Sequence, residues 1–212
     1  MTNVLKFLNQ VTKLKETPRQ GWVLRGIKNP ESIADHSFRV ALMAWVLGKQ
    51  KNNLNLEKII KMALAHDLCE VYAGDITPYD TILPKDPKKR KEMLKTWPKF
   101  TESQKKKISE KKYIKEKQGL EKLIKDLPAN LSKEIKALWQ DYEKRLSPES
   151  RFLRQIDRAE NLLQSLEYWQ KNKNLPQKAW WVQANQLFDD KTIIDFVEHM
   201  DKEFYKTHKP KH

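Results

Sequence analysis

Leu56-Glu57-Lys58-Ile59-Ile60-Lys61-Met62-Ala63-Leu64-Ala65-His66-Asp67-Leu68-Cys69-Glu70-Val71-Tyr72-Ala73-Gly74-Asp75 is the stretch on which the reading of this chain turns. Ile59, Ile60, Ala63, Leu64, Leu68 and Val71 recur at three- and four-residue spacing, which predicts an amphipathic helix from Leu56 to Tyr72. Gly74 is placed to end it in the left-handed conformation. His66 and Asp67 fall in the last two turns of this apolar helix, where titratable groups cost stability unless paired or liganded. Glu70 follows His66 by four residues and Asp67 by three, so all three project toward one helical sector. Asp75 comes just after the helix end.

On either side of this stretch the same periodicity continues. A first helix is expected from about Asn3 to Lys15, with Val4, Leu5, Leu8, Val11 and Leu14 on its core face. Pro18, Gly21, Gly26 and Pro30 mark a non-helical segment carrying Arg19, Trp22 and Arg25. A helix follows from Asn29-Pro30 to about Lys49, with the stripe Ile33, Val40, Ala44 and Leu47 and with His36 near its start. It could pack antiparallel to the His66 helix. Prolines 78, 84 and 87 predict a loop over Thr77–Pro87. Lysine-rich helices are expected at 88–95 and 101–126, the second capped by Thr101. Further helices are expected at 130–145, from Ser147-Pro148 to about Gln170, at 178–188 and at 191–205. No repeat and no alternating strand pattern is present, so the fold class is all-α.

Composition agrees and narrows the chemistry. The chain has 212 residues, enough for one domain with a sizeable core or at most two small ones. Only five glycines occur, and neither a Walker loop nor a dinucleotide fingerprint can be found. Cys69 is the single cysteine, which rules out an intrachain disulfide and a thiolate zinc site, and it reads as a small buried apolar residue. No apolar run is long enough to span a membrane, and Met1–Glu16 lacks the core of a signal peptide, so a cytoplasmic protein with no membrane partner is expected.

Imidazole and carboxylate donors suit Mn, Co, Fe, Ni, Zn or Mg better than a metal that prefers thiolate. A mixed His/Asp set also leaves coordination positions open for water and a phosphate oxygen, as catalytic sites do. A His-Asp pair alone is equally compatible with a buried, hydrogen-bonded histidine.

Three ordered motifs sharpen this. Glu31-Ser32-Ile33-Ala34-Asp35-His36, Ala65-His66-Asp67-Leu68-Cys69-Glu70 and Gly74-Asp75-Ile76 resemble the H…HD…D signature of HD-domain phosphohydrolases. Gln20-Gly21-Trp22-Val23-Leu24-Arg25 before them and Arg154-Gln155-Ile156-Asp157 after them are similar to the YfbR-like 5′-deoxynucleotidases. The resemblance covers about residues 5–84 and 126–170, with C-terminal helices over 171–206 completing a single HD-domain helical bundle. It implies that His36, His66, Asp67 and Asp157 bind one divalent metal. It further implies that Glu70 assists proton transfer and that Asp75 orients the attacking water, or that Glu70, Asp75 and the Ile76 carbonyl hold a second ion. Arg19 and Arg25 would meet the phosphate. Trp22 would pack on sugar or base, or serve as a core anchor. Asp157 read by itself is also compatible with an exposed ion pair to Arg154 or Arg158, and Asp75 with a cap on local backbone N–H groups.

The implied function is hydrolysis of a deoxynucleoside 5′-monophosphate. A nucleoside triphosphate or cyclic-nucleotide hydrolase shares the same metal core. A third reading, a nucleic-acid-binding module, rests on charge. The formal net charge is +14, of which residues 85–125 supply +10, from 16 Lys/Arg against 6 Asp/Glu. That segment is a lysine-rich helical insertion by comparison with the family. Lys105, Lys106, Lys107, Lys111, Lys112, Lys115 and Lys117 are too dense to share a buried face, while Ile108, Tyr113 or Ile114, Leu120 and Ile124 form a narrow apolar stripe. Trp97, Phe100 and Tyr113 are too few for a base-stacking platform, so nucleic acid is the less favoured partner. Seven tryptophans, among them Trp180-Trp181, suit either a homodimer surface or the core.

Overall fold

The structure is a computed structural model that describes residues 1–96 and 99–205. Among the described residues twelve helices follow one another: α1 Thr2–Val11, α2 Lys13–Glu16, α3 Gln20–Leu24, α4 Ile33–Gly48, α5 Leu56–Ala65, α6 Glu70–Ala73, α7 Pro87–Thr96, α8 Glu102–Ile124, α9 Ala129–Lys144, α10 Pro148–Lys171, α11 Lys178–Leu187 and α12 Lys191–Tyr205. Among the described residues there is no strand, only an isolated bridge between Pro18 and Ser32, and no helix long and apolar enough to cross a membrane. The fold is the all-α one expected.

The chain forms two compact units, each built from two stretches: Met1–Asp35 with Asp67–Ala137, and His36–His66 with Leu138 onward. The second unit is organised around α10, which packs on α5, α11 and α12. Ser147 starts α10 through a capping box with Ser150, and Pro148 fills the first turn, where its missing N–H is harmless. Leu153, Ile156, Ala159, Leu162 and Leu166 of α10 are buried with Val40, Ala44, Ile59 and Met62 in one core. Trp180 and Trp181, both half-buried, pack against that core, and Trp181 Nε1 donates to Tyr205 Oη at 2.9 Å.

In the first unit α6 packs on α8. Thr101 caps α8 through a capping box with Gln104, as the sequence implies. The last turns of α8 bury Glu116, Gly119, Leu120, Leu123 and Ile124, so the solvated lysine-rich part of the segment ends near Lys115. Lys105, Lys106, Lys107, Lys111 and Lys115 are exposed. Lys112 is different: it reaches the buried Glu116 carboxylate at 3.2 Å. Tyr113, not Ile114, takes the inward place in the stripe. Trp97 lies outside the described residues.

Three expectations need correction, the first being the non-helical segment around Trp22, where Gln20–Leu24 forms the short helix α3. The helix predicted over Leu56–Tyr72 stops at Ala65 and resumes at Glu70. His66 Nδ1 bonds to the Ala63 carbonyl at 2.6 Å, the acceptor that the Asp67 N–H would use in a continuing helix. The next bonds, Glu70 N–H to Asp67 O and Val71 N–H to Leu68 O, are tighter turns of the i, i+3 kind. Leu64 is consequently exposed instead of joining the core stripe. In α1 the inward face is Val4, Phe7 and Val11, while Leu5 and Leu8 are exposed, because the apolar sector is wider than the face the helix uses. Gly74 ends its helix with positive φ as expected, but at φ 74° and ψ 165° it lies outside the left-handed helical region, in one essentially closed to other residues.

Gly119 generates a prediction. A Cβ there would lie 2.6 Å from the Cys69 carbonyl oxygen and 3.2 Å from Ala73 N, both backbone atoms. In an unconstrained helix interior Gly→Ala stabilises by about 0.8–1 kcal/mol. Here Gly119→Ala is expected to destabilise by about 1–3 kcal/mol, the scale of overpacking. Thermal unfolding checks it, and a raised Tm would refute the close approach.

Candidate metal centre and its surroundings

In the second unit two histidines are buried side by side. His36 comes from the first turn of α4 and His66 from the residue after α5. Their rings are 5.5 Å apart, and a ligand atom of each lies within 4.8 Å of one on the other. His36 Nδ1 sits 2.6 Å from Glu160 Oε2. His66 Nδ1 faces a carbonyl, which can only accept, so it carries the proton. With each Nδ1 committed as a donor, each Nε2 presents a lone pair when its ring is neutral, the arrangement of metal-binding imidazoles, whereas a proton on His36 Nε2 would serve Asp157 instead.

Asp157 of α10 is buried, not surface-exposed, and its Oδ1 lies 3.3 Å from His36 Nε2. Tyr142 Oη donates to Oδ2 at 2.8 Å and Asn161 Nδ2 to Oδ1 at 3.0 Å. Burial would raise this carboxyl, but the His36 hydrogen bond and the Arg158 charge outweigh it and hold Asp157 well below the usual carboxylate range. Asp157 is therefore an anion fixed beside imidazole nitrogen. Arg154 pairs with Glu143 instead, at 3.4 Å. Two imidazoles and a carboxylate, each oriented from behind, are a donor set that fits a divalent cation.

Glu160 and Arg39 escape a sequence reading. Glu160 is fully buried; its Oε1 takes Arg39 Nη2 at 2.7 Å while its Oε2 holds His36. Arg39 also donates to Glu167 at 2.8 Å and to Gln164. Burial raises the Glu160 carboxyl and the imidazole and guanidinium beside it more than reverse that, leaving it lowered. The available signal was spacing: Arg39 is three residues after His36, and Glu160 three after Asp157, each on its neighbour's helix face.

The first unit holds the remaining candidates. Asp67, the residue after His66 in the chain, accepts from Arg19 Nη1 at 3.2 Å. Asp75 Oδ2 accepts the Gln20 N–H at 2.6 Å, so its cap falls on a distant backbone and not on its own loop. These two bonds fasten the Arg19–Arg25 segment to the motif. Trp22 is buried and Nε1 donates to Glu31 at 2.8 Å, which makes it a packing anchor. Arg25 lies over the Trp22 ring at 5.8 Å and donates to the Gly21 carbonyl at 2.8 Å. Burial lowers its guanidinium to about 10.

Glu70 is buried, and among the described residues its Oε2 has no hydrogen-bond partner. Burial first, then the charges of Asp67 and Asp75, push its carboxyl well above the usual range. Cys69 is buried, and burial pushes its thiol up, in keeping with an inert apolar residue. Ile76 is half-buried.

Known proteins match this chain along most of its length. A family model described as HD domain matches residues 11–193. The 5′-deoxynucleotidase HDDC2 of Xenopus laevis is 36% identical over 166 residues, 78% of this chain and 69% of that protein. The Bos taurus 5′-deoxynucleotidase HDDC2 is 32% identical over 202 residues, 95% of this chain and 85% of that protein. A solved structure from Magnetospirillum magnetotacticum, a "Predicted metal-dependent phosphohydrolase", superposes with a TM-score of 0.67 at 22% identity, covering 97% of this chain and 95% of that one; it supports the fold.

Glu160 can be tested apart from any reaction. Glu160→Gln keeps the shape but removes the charge that fixes His36. Affinity for Co(II), followed by its visible absorption, is expected to fall roughly 10–100-fold, the usual scale for such outer partners. Unchanged affinity would leave Glu160 with no part in orienting His36.

Proposed function

The chain belongs to the HD-domain family, and on that footing we propose that it is a metal-dependent 5′-deoxynucleotidase, converting a deoxynucleoside 5′-monophosphate and water to deoxynucleoside and phosphate. The observation that carries the reading is the pair of buried imidazoles with both Nδ1 atoms engaged and an Asp157 carboxylate beside them. The named substrate comes from relatives more than 30% identical over most of their own length.

The ligand set we propose is His36, His66 and Asp157, together with Asp67, which follows His66 in the chain. A divalent ion held there would polarise the phosphate and make bound water a better nucleophile. The chain's own residues supply the rest. Glu70 moves the proton: a buried carboxyl raised well above its usual range can accept one from water and return it to the leaving 5′ oxygen. Arg25 and Arg19 offer cations to the phosphate oxygens, a bidentate geometry that lysine lacks. Asp75 positions the Arg19–Arg25 segment through the Gln20 N–H. In the two-ion variant of this site, Glu70, Asp75 and the Ile76 carbonyl would hold the second cation. A single, buried, unreactive thiol suits a reducing compartment, and we place the reaction in the cytoplasm.

Elemental analysis with a phosphate-release assay over the deoxynucleoside monophosphates tests the proposal directly. His66→Ala and Asp67→Ala are expected to lose both metal and turnover; full metal occupancy in either would remove it from the ligand set. Glu70→Ala should keep its metal and lose kcat by roughly 10²-fold or more. Arg25→Ala should act mainly by raising KM for the phosphorylated substrate.

The lysine-rich helix is expected to be peripheral to the reaction. Changing Lys105, Lys106, Lys107 and Lys111 to Gln, and leaving Lys112 on Glu116, should keep kcat within about threefold. Any loss should appear in kcat/KM and shrink as salt rises, since screening removes long-range steering. A salt-independent fall in kcat would place this helix in the active site. Tight RNA or DNA binding that the variant loses would favour the nucleic-acid reading.

A further inference from the structure

We propose that Tyr142 is a positioning residue of the metal centre: its hydroxyl occupies one oxygen of Asp157, so that the other is presented to the ion, while its ring braces His66. The inference rests on the metal reading given above and concerns a residue to which that reading gives no role. Tyr142 lies in the last turn of α9 and is buried. Its Oη donates to Asp157 Oδ2 at 2.8 Å. Its ring meets the His66 ring edge to face, with centroids 5.1 Å apart and planes at 66°, within the range of a favourable aromatic pair. One side chain thus touches two of the proposed ligands, one from the residue after α5 and the other from α10.

Packing accounts for the ring but not for the hydroxyl. A phenylalanine would fill the same space and keep the contact with His66. It would also keep Arg154, whose guanidinium carbon lies 4.7 Å from the ring centre in a cation–π contact. Arg154 precedes Asp157 by three residues on the same side of α10, and its charge is tied to Glu143 at 3.4 Å. What phenylalanine would lose is the donor on Oδ2. The two oxygens of Asp157 have separate duties: Oδ2 holds the phenol, while Oδ1 accepts from Asn161 Nδ2 at 3.0 Å and lies 3.3 Å from His36 Nε2. Two donor atoms bound to one divalent ion through bonds of about 2.0–2.2 Å stand about 3–3.5 Å apart, and Oδ1 and Nε2 already have that spacing. Asn161 belongs to the same helix as Asp157 and also donates to its carbonyl, at 2.7 Å. A carboxylate held only at Oδ1 can still turn about its Cβ–Cγ bond, a soft torsion. Held at both oxygens, by groups from two helices, it cannot. A free Oδ2 could turn onto the ion and fill a position that water and phosphate need, and the phenol prevents that.

Tyr142→Phe tests this in the full chain, with Co(II) as the probe. The retained ring keeps the packing, and circular dichroism without metal confirms that the variant folds. Its affinity for Co(II) is expected to fall roughly 10-fold or more, the scale for groups that stand behind a ligand. At saturating Co(II) the visible bands are expected to shift, because the direction of the carboxylate sets part of the ligand field. A residue that served packing alone would leave those bands in place. Tyr168→Phe removes another buried hydroxyl of the same unit and should change neither reading. Wild-type affinity in Tyr142→Phe, wild-type bands at saturation, or an equal loss in Tyr168→Phe would each overturn the role of Tyr142 and leave the metal centre standing. A wild-type chain that binds no Co(II) would overturn both.

Discussion

Two imidazoles buried in a helical core impose the constraint from which much of the second unit follows. Each brings two ring nitrogens into a low-dielectric interior, where an unmet polar atom costs about 1–3 kcal/mol. His66 meets part of that cost with the Ala63 carbonyl, and the helix ends there as a result. His36 meets it with Glu160, which brings a second buried charge and therefore needs Arg39. Arg39 in turn engages Glu167 and Gln164. The identities of four residues on α4 and α10 thus trace back to one nitrogen. Such a network is a poor way to stabilise a fold, since well-packed apolar residues would serve as well or better. Its presence is best explained by what the opposite nitrogens do.

The same reasoning applies to the first unit, on a smaller scale. Glu70 lies in a four-residue helix that could not persist alone. It is kept in place because α8 comes close enough for Gly119 to touch the Cys69 carbonyl, an approach closed to any side chain. Lys13 adds a bond from its Nζ to the Val71 carbonyl at 2.8 Å. Helix α8 therefore has two roles along its length. Its solvated first half carries lysines that contribute net charge, and its buried last turns hold up the short helix that carries Glu70. By sequence 85–125 reads as one lysine-rich insertion, but packing divides it near Lys115.

What the sequence made legible was set by periodicity and by caps. Helices α4, α9, α10, α11 and α12 lie close to their expected bounds, because their apolar spacing is regular and Ser147-Pro148 and Thr101 carry chemistry that starts a helix. The break after Ala65 was not legible. Apolar spacing continues unbroken through Leu68 and Val71, and the cause of the break is a side-chain hydrogen bond that no pattern encodes. Leu5 and Leu8 misled for a related reason: several faces of α1 are apolar, and only packing decides which is used. The candidate ligands were visible as residue types in an ordered motif. The groups behind them were not, since Glu160 and Arg39 look like ordinary surface charges until two helices far apart in sequence are brought together.

Helix α4 shows where a sequence stripe can point in two directions. Ile33, Val40, Ala44 and Leu47 mark a core face, yet Phe38, Leu42, Trp45 and Val46 are no less apolar. Binary patterning alone would call for burial of both. The structure buries the face that carries His36, because only that side leads to Glu160 and Asp157. The bulkier face is then left outward, though it would gain more from leaving water at roughly 25 cal/mol per Å² of apolar surface. The candidate metal-centre residues thus decide how α4 is rotated, and that rotation leaves Phe38, Leu42, Trp45 and Val46 exposed.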